Sequence, residues 1–228
     1  DDMLKNNRKA LSDRDVSLIS QIVYGVTTWK LTLDEIIKKY SSIKLKKISI
    51  WIINILRMGI YQIIFLDKIP KSAAVNECVN LAKRYGHKAS SGFVNAILRK
   101  VSPDDYLQLF DVKLPKAEMI SKTQSMPLWI IEELLENNTI EEVEEICKNL
   151  NLTPCVSIRV NNVKTTKKEL EEIFNKNSIQ YEEGELDDFL ILNKAKNIEN
   201  IEGFKEGLFT VQDESAGLTC LVLNPKEG

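Results

Sequence analysis

The chain has 228 residues, 43% of them hydrophobic, which is enough for an ordinary buried core, and the length favours two domains. Four scattered cysteines, Cys78, Cys147, Cys155 and Cys220, form no CxxC pair, which excludes a thiolate metal cluster and points to reduced thiols in a cytoplasmic protein. The net charge of −2 hides an asymmetry: residues 1–102 carry 18 Lys or Arg against 8 Asp or Glu, and residues 103–228 carry 13 against 25. The basic half asks for an anionic partner, unless its lysines only solvate helix faces. The opening Asp-Asp-Met shows no charged-then-apolar leader.

From Leu11 to Val101 the pattern is helical throughout. Asp15–Trp29 places Val16, Ile19, Ile22, Val23 and Val26 on one face, and Leu33–Tyr40 follows. Ile48–Leu66 is apolar enough to raise a membrane span, but Asn54, Arg57 and Gln62 interrupt it. The spacing predicts a buried helix or a helix pair there, read in chain order as Ile48–Ile53 and Ile55–Phe65. Ser72–Tyr85 buries Val75, Cys78, Val79 and Ala82, and Ser90–Val101 buries Phe93, Val94, Ile97 and Leu98. Gly86 is placed as a C-terminal cap, and Ser90 or Ser91 as an N-terminal one. Short connections between such helices predict a compact bundle.

Ser102-Pro103 stops the last of these helices, and Leu114–Ser125 reads as a linker. Pro127 opens a new helix. Ile140–Leu150 is an acidic helix with Val143, Ile146, Cys147 and Leu150 inward. The acidic stretch Glu132–Glu145 reads as a solvated face. The period then changes: Val156, Ile158 and Val160 alternate with polar residues as a strand does. Thr166 starts a helix through Asn177. Ile179–Glu182, Phe189–Leu192 and Leu208–Gln212 predict three further strands, and Asp213 caps a final helix through Leu223. The expectation is a small α/β layer over one sheet.

Leu56-Arg57-Met58-Gly59-Ile60-Tyr61-Gln62, Ala74-Val75-Asn76-Glu77 and Gly92-Phe93-Val94-Asn95 resemble the NusB-type helical domain. That domain occurs alone as an antitermination factor, or fused to the front of bacterial ribosomal-RNA cytosine-C5 methyltransferases of the RsmB type. Ser125-Met126-Pro127-Leu128-Trp129, Ile158-Arg159-Val160-Asn161-Asn162-Val163-Lys164 and Val211-Gln212-Asp213-Glu214-Ser215-Ala216 resemble the subdomain that follows in those enzymes. The chain departs from the family at Met126, where His is common.

The resemblance implies a multidomain protein: an N-terminal all-α NusB-like RNA-binding bundle over 1–113, a linker over 114–125, and a small α/β (α+β) subdomain over 126–212. Residues 213–228 are then the start of a truncated methyltransferase domain, the Rossmann-like core being absent. The family's opening helix is expected to be missing at the N-terminus.

The implied function is the RNA-recognition portion of an S-adenosylmethionine-dependent 16S ribosomal-RNA methyltransferase, with that RNA as partner and neither membrane nor metal. The fragment itself is expected to bind no cofactor and to have no catalytic residue. A pyrimidine carbon attacks a methyl sulfonium poorly, and the family activates it by adding a cysteine thiolate to the ring. Both of its working cysteines belong to the absent domain. The alternative is a non-enzymatic NusB-like protein of antitermination or ribosome assembly, which would lack the stretch after Met126. A third reading is a protein-interaction bundle, which nucleic-acid binding would exclude.

Candidate RNA contacts are Arg84 and Lys88, which flank one turn, Arg99 and Lys100, which end the next helix, and Arg159, Asn161 and Lys164 on or beside a strand. Each pair could instead serve as a solvated helix C-cap. Arg159 and Asn161 could face RNA or hold a neighbouring loop. Pro154-Cys155 resembles the family's catalytic Pro-Cys but lacks its acidic context, and His87 has no evident partner for general-base work. Asn76 and Asn95 are expected to hydrogen-bond within the bundle, and Arg57 to pair internally.

Overall fold

The structure is a computed structural model, and it describes residues 11–110, 113–193 and 198–225. The expectation about the family's opening helix concerns residues 1–10, which lie outside that set. The chain divides into two compact units, Asp1–Leu152 and Thr153–Gly228.

The first unit is helical: α1 (Asp13–Thr28), α2 (Lys30–Tyr40), α3 (Ile50–Phe65), α4 (Lys71–Tyr85), α5 (Ser90–Leu98), α6 (Asp104–Leu107), α7 (Lys116–Thr123), α8 (Leu128–Leu135) and α9 (Ile140–Leu150). Ser12 and Asp15 close a capping box on α1. Val23, expected on its inner face, is exposed, while Ile22 and Val26 pack on the core.

α3 is one helix rather than two. It is apolar nearly all round and buries Ile52, Ile53, Ile55, Leu56 and Ile60, as the central helix of a bundle must. Its polar residues do not break it because they are satisfied laterally. Buried Arg57 forks onto Asp34 of α2 with two bonds of 2.8 Å and donates a third to Asn54 at 2.9 Å. Gly59 lets α5 approach: a Cβ there would meet Leu98 Cδ1 at 2.6 Å.

Leu114–Ser125, expected as a linker, contains α7 and is tied to α2. The Thr32 hydroxyl, fully buried, donates to the Lys122 carbonyl at 2.7 Å, and the Leu31 N–H donates to Ser125 Oγ at 2.9 Å. Ile120 joins Ile131, Val143 and Cys147 in a second small core, against which Met126 packs. The acidic stretch is two helices, because Thr139 and Glu142 cap α9 anew. Leu150, expected inward, is exposed.

The second unit is a four-stranded antiparallel sheet in the order β2-β3-β1-β4, with β1 Val156–Val160, β2 Tyr181–Glu183, β3 Phe189–Leu192 and β4 Phe209–Val211. Helix α10 (Lys167–Lys176) starts at a Thr166–Glu169 capping box. It packs Leu170 and Phe174 onto Ile158, Val160, Leu190, Leu192 and Phe209. Helix α11 (Glu214–Leu223) is capped by Asp213, as its sequence requires. Among the described residues every strand pairing is antiparallel, so no Rossmann-type sheet is present.

Candidate nucleic-acid interface

α4 and α5 form an antiparallel hairpin around the turn at 86–89. Lys71, at the start of α4, donates from Nζ to the Arg99 carbonyl just beyond α5 at 2.8 Å. Arg84 and Lys88 therefore stand at the turn end, and Arg99 and Lys100 at the other. All four are exposed. The structure assembles them as two pairs rather than one patch.

Ser90 does not cap α5. It is the first residue of that helix, and its hydroxyl accepts from the His87 N–H at 3.0 Å. His87 is exposed with no acid–base partner among the described residues. Asn76 is exposed and Asn95 half-buried. Neither side chain is hydrogen-bonded among the described residues, so the expected internal bonds are not made.

Arg159, Asn161 and Lys164 are brought together: all three line one hollow of about 580 Å³, with Asn162 and Gln212. Two of them also hold a loop. Asn161 Nδ2 donates to the Gly207 carbonyl at 2.9 Å, and its Oδ1 accepts from the Val163 N–H at 3.2 Å. Lys164 Nζ donates to the Glu206 carbonyl at 2.7 Å. Gly207 is required there, since its φ is +69° and a Cβ would stand 2.9 Å from that ammonium. Arg159 stands on the sheet face opposite Ile158 and Val160. It also lines a second hollow of about 450 Å³ with Glu185, Asp187 and Asp188. Those three carboxylates would repel an anion, so this hollow suits a phosphate less well than the one beside Lys164.

Two of the four thiols are buried, Cys78 and Cys147. Burial, with Glu77 beside it, pushes Cys78 up to about 12, and burial also raises Cys147. Cys155 and Cys220 are exposed. Among the described residues no cluster of His, Cys, Asp or Glu could hold a metal, and no helix is long and apolar enough to cross a membrane.

The helical bundle and the small sheet each match a known family. The sequence model of the NusB family matches residues 1–103. The ferredoxin-like domain of RsmF/B-like methyltransferases matches residues 126–199. The chain joins a NusB-family domain to an RsmF/B ferredoxin-like domain. In the first domain it is 42% identical over 101 residues to the transcription antitermination protein NusB of Ruminiclostridium cellulolyticum. That match covers 44% of this chain and 70% of the relative.

Over 98% of its length the chain is 32% identical to the probable ribosomal RNA small subunit methyltransferase B of Bacillus subtilis, covering 49% of that relative. The chain thus spans about half the length of the methyltransferase relatives it matches. The fold agrees with the crystal structure of PH0851 at a TM-score of 0.67 and 20% identity, over 99% of this chain and 50% of that one.

The NusB-family domain holds Arg84, Lys88, Arg99 and Lys100, and the ferredoxin-like domain holds Arg159, Asn161 and Lys164. Strand β4 lies beyond the matched residues of the second domain yet completes its sheet. Sequence reasoning missed two exposed rings of the NusB-family domain, Trp51 and Tyr85, which stack on each other.

Proposed function

We propose that the chain is the RNA-recognition portion of an S-adenosylmethionine-dependent methyltransferase that modifies cytosine C5 in 16S ribosomal RNA in the cytoplasm. The observation that carries this reading is the order of the two domains in one chain. A NusB-family domain is followed by the ferredoxin-like domain of RsmF/B-like methyltransferases, and the likeness to a small-subunit RNA methyltransferase runs through both. In the whole enzyme S-adenosylmethionine supplies an electrophilic methyl group. The work of the described residues is to bind and orient RNA.

The charge distribution supports that division of labour, because the basic residues concentrate in the NusB-family domain. Arg84, Lys88, Arg99 and Lys100 are the proposed phosphate contacts there. Arg159 and Lys164 are proposed contacts on the ferredoxin-like domain, with Asn161 beside them.

Titrating the full chain with hairpins of small-subunit ribosomal RNA and with unrelated RNA hairpins of equal length tests the reading. Preference for the ribosomal hairpins is expected. Absence of RNA binding, or equal affinity for both sets, would overturn it. A free-standing NusB-like role is disfavoured by the ferredoxin-like domain.

A further inference from the structure

Two aromatic rings lie uncovered on the NusB-family domain. Trp51, in the first turn of α3, is 59% exposed, and Tyr85, the last residue of α4, is 45% exposed. Their ring centroids are 5.4 Å apart and their planes 17° from parallel. Ile50 beside them is also exposed, and the Arg84 guanidinium sits 5.3 Å over the Tyr85 ring. A stacked pair of this kind on the surface buries only part of its apolar area and leaves the rest of each ring to solvent.

The two stretches of chain that carry the rings bring charge of one sign. The stack places the start of α3 beside the end of α4. The chain entering α3 brings exposed Lys44, Lys46 and Lys47, and the chain leaving α4 brings exposed Arg84 and Lys88. Residues 36–66 contain no Asp or Glu, and neither do residues 78–103. Every charge that these two stretches bring to this end of the bundle is therefore positive. An apolar protein partner would cover the rings at the cost of desolvating these cations without compensation. A single-stranded polynucleotide satisfies both features, with phosphates for the cations and base faces for the rings.

We propose that Trp51 and Tyr85 form a stacking platform for an unpaired RNA base, with Lys46, Lys47, Arg84 and Lys88 on the flanking phosphates. This deepens the RNA-recognition reading and rests on it. The platform selects unpaired nucleotides, because in a duplex both faces of each base are already covered by neighbours. It carries little sequence preference, since every base offers a π-face.

The test uses the full chain with a short labelled oligoadenylate strand, free or paired with oligouridylate. The free strand is expected to bind more tightly than the duplex. Trp51→Ala should weaken the free strand about ten-fold and leave its salt slope unchanged, because a stacking contact releases no counterions. Trp51→Phe should restore most of the affinity. Lys46→Ala with Lys47→Ala should flatten the salt slope.

Unchanged free-strand affinity in folded Trp51→Ala and Tyr85→Ala proteins would overturn the platform, while wild-type binding to RNA would keep the broader reading standing. Equal losses on free strand and duplex would also overturn it. Failure of the wild-type chain to bind any RNA would defeat both. Binding to anionic lipid vesicles, or self-association, that depends on Trp51 while RNA affinity does not would assign the surface to a membrane or a second copy, and would overturn the proposal too.

Discussion

Replacing Arg57 by Met removes the cation paired with Asp34 inside the helical unit. The Arg57 side chain is 10% exposed and that of Asp34 13%. Their contact is a two-bond fork at 2.8 Å, braced by Asn54 at 2.9 Å. Breaking a buried pair from one side costs about 3–5 kcal/mol, because the remaining charge is stranded. The slight exposure of Asp34 admits some water, so the low end, about 3 kcal/mol, applies.

In a unit of this size each kcal/mol moves the melting temperature by roughly 2–4 °C, so Arg57→Met should lower it by about 6–12 °C. Thermal unfolding followed by far-ultraviolet circular dichroism measures this. The double variant Arg57→Met with Asp34→Leu should recover most of the loss, since it removes the stranded charge and leaves apolar groups in its place. A single-variant cost under about 1 kcal/mol, or a double variant as unstable as the single, would refute the reasoning.

Burial pushes the Asp105 carboxyl up, but hydrogen bonds from Lys39, the Ser102 N–H and Tyr40 outweigh it and hold the group below the usual carboxylate range. Asp105 therefore contributes stability that is complete above its unfolded value of about 4 and is lost as pH falls through the lower native value. Denaturant titrations across that range should show a shallower acid-side loss in Asp105→Asn. Thiol titration with a disulfide reagent should modify Cys155 and Cys220 in the native protein, and Cys78 and Cys147 only after unfolding. Thr32→Val should cost about 1–2 kcal/mol in urea unfolding, because it strands the Lys122 carbonyl.

Most elements were legible because they carry local signals. Thr166 and Asp213 marked helix starts, and the Val156–Val160 alternation marked the central strand. What could not be read depends on partners distant in sequence. Asn54 and Arg57 looked like a break in an apolar run until Asp34 was in place across the bundle. Residues 114–125 looked like a linker by composition, but the order in α7 comes from Thr32 and Leu31, some ninety residues earlier. Likewise Arg159, Asn161 and Lys164 could be grouped from sequence, but the loop that ties Asn161 and Lys164 comes from residues 206–207. The Trp51–Tyr85 stack exists only once α3 and α4 pack side by side.

The central claim is that this chain recognises ribosomal RNA through exposed cations of its NusB-family domain. Its most direct test is the affinity of the full chain for a 16S ribosomal-RNA hairpin as a function of salt, for wild type and for a variant with Arg84, Lys88, Arg99 and Lys100 all changed to Ala. Each phosphate contact contributes about 0.7–0.9 to the slope of log affinity against log salt, so four contacts predict a slope shallower by about 3 in the variant. Salt-insensitive binding by the wild type, or an unchanged slope and affinity in a folded variant, would contradict the account. The second outcome would leave Arg159, Asn161 and Lys164 as the next residues to test.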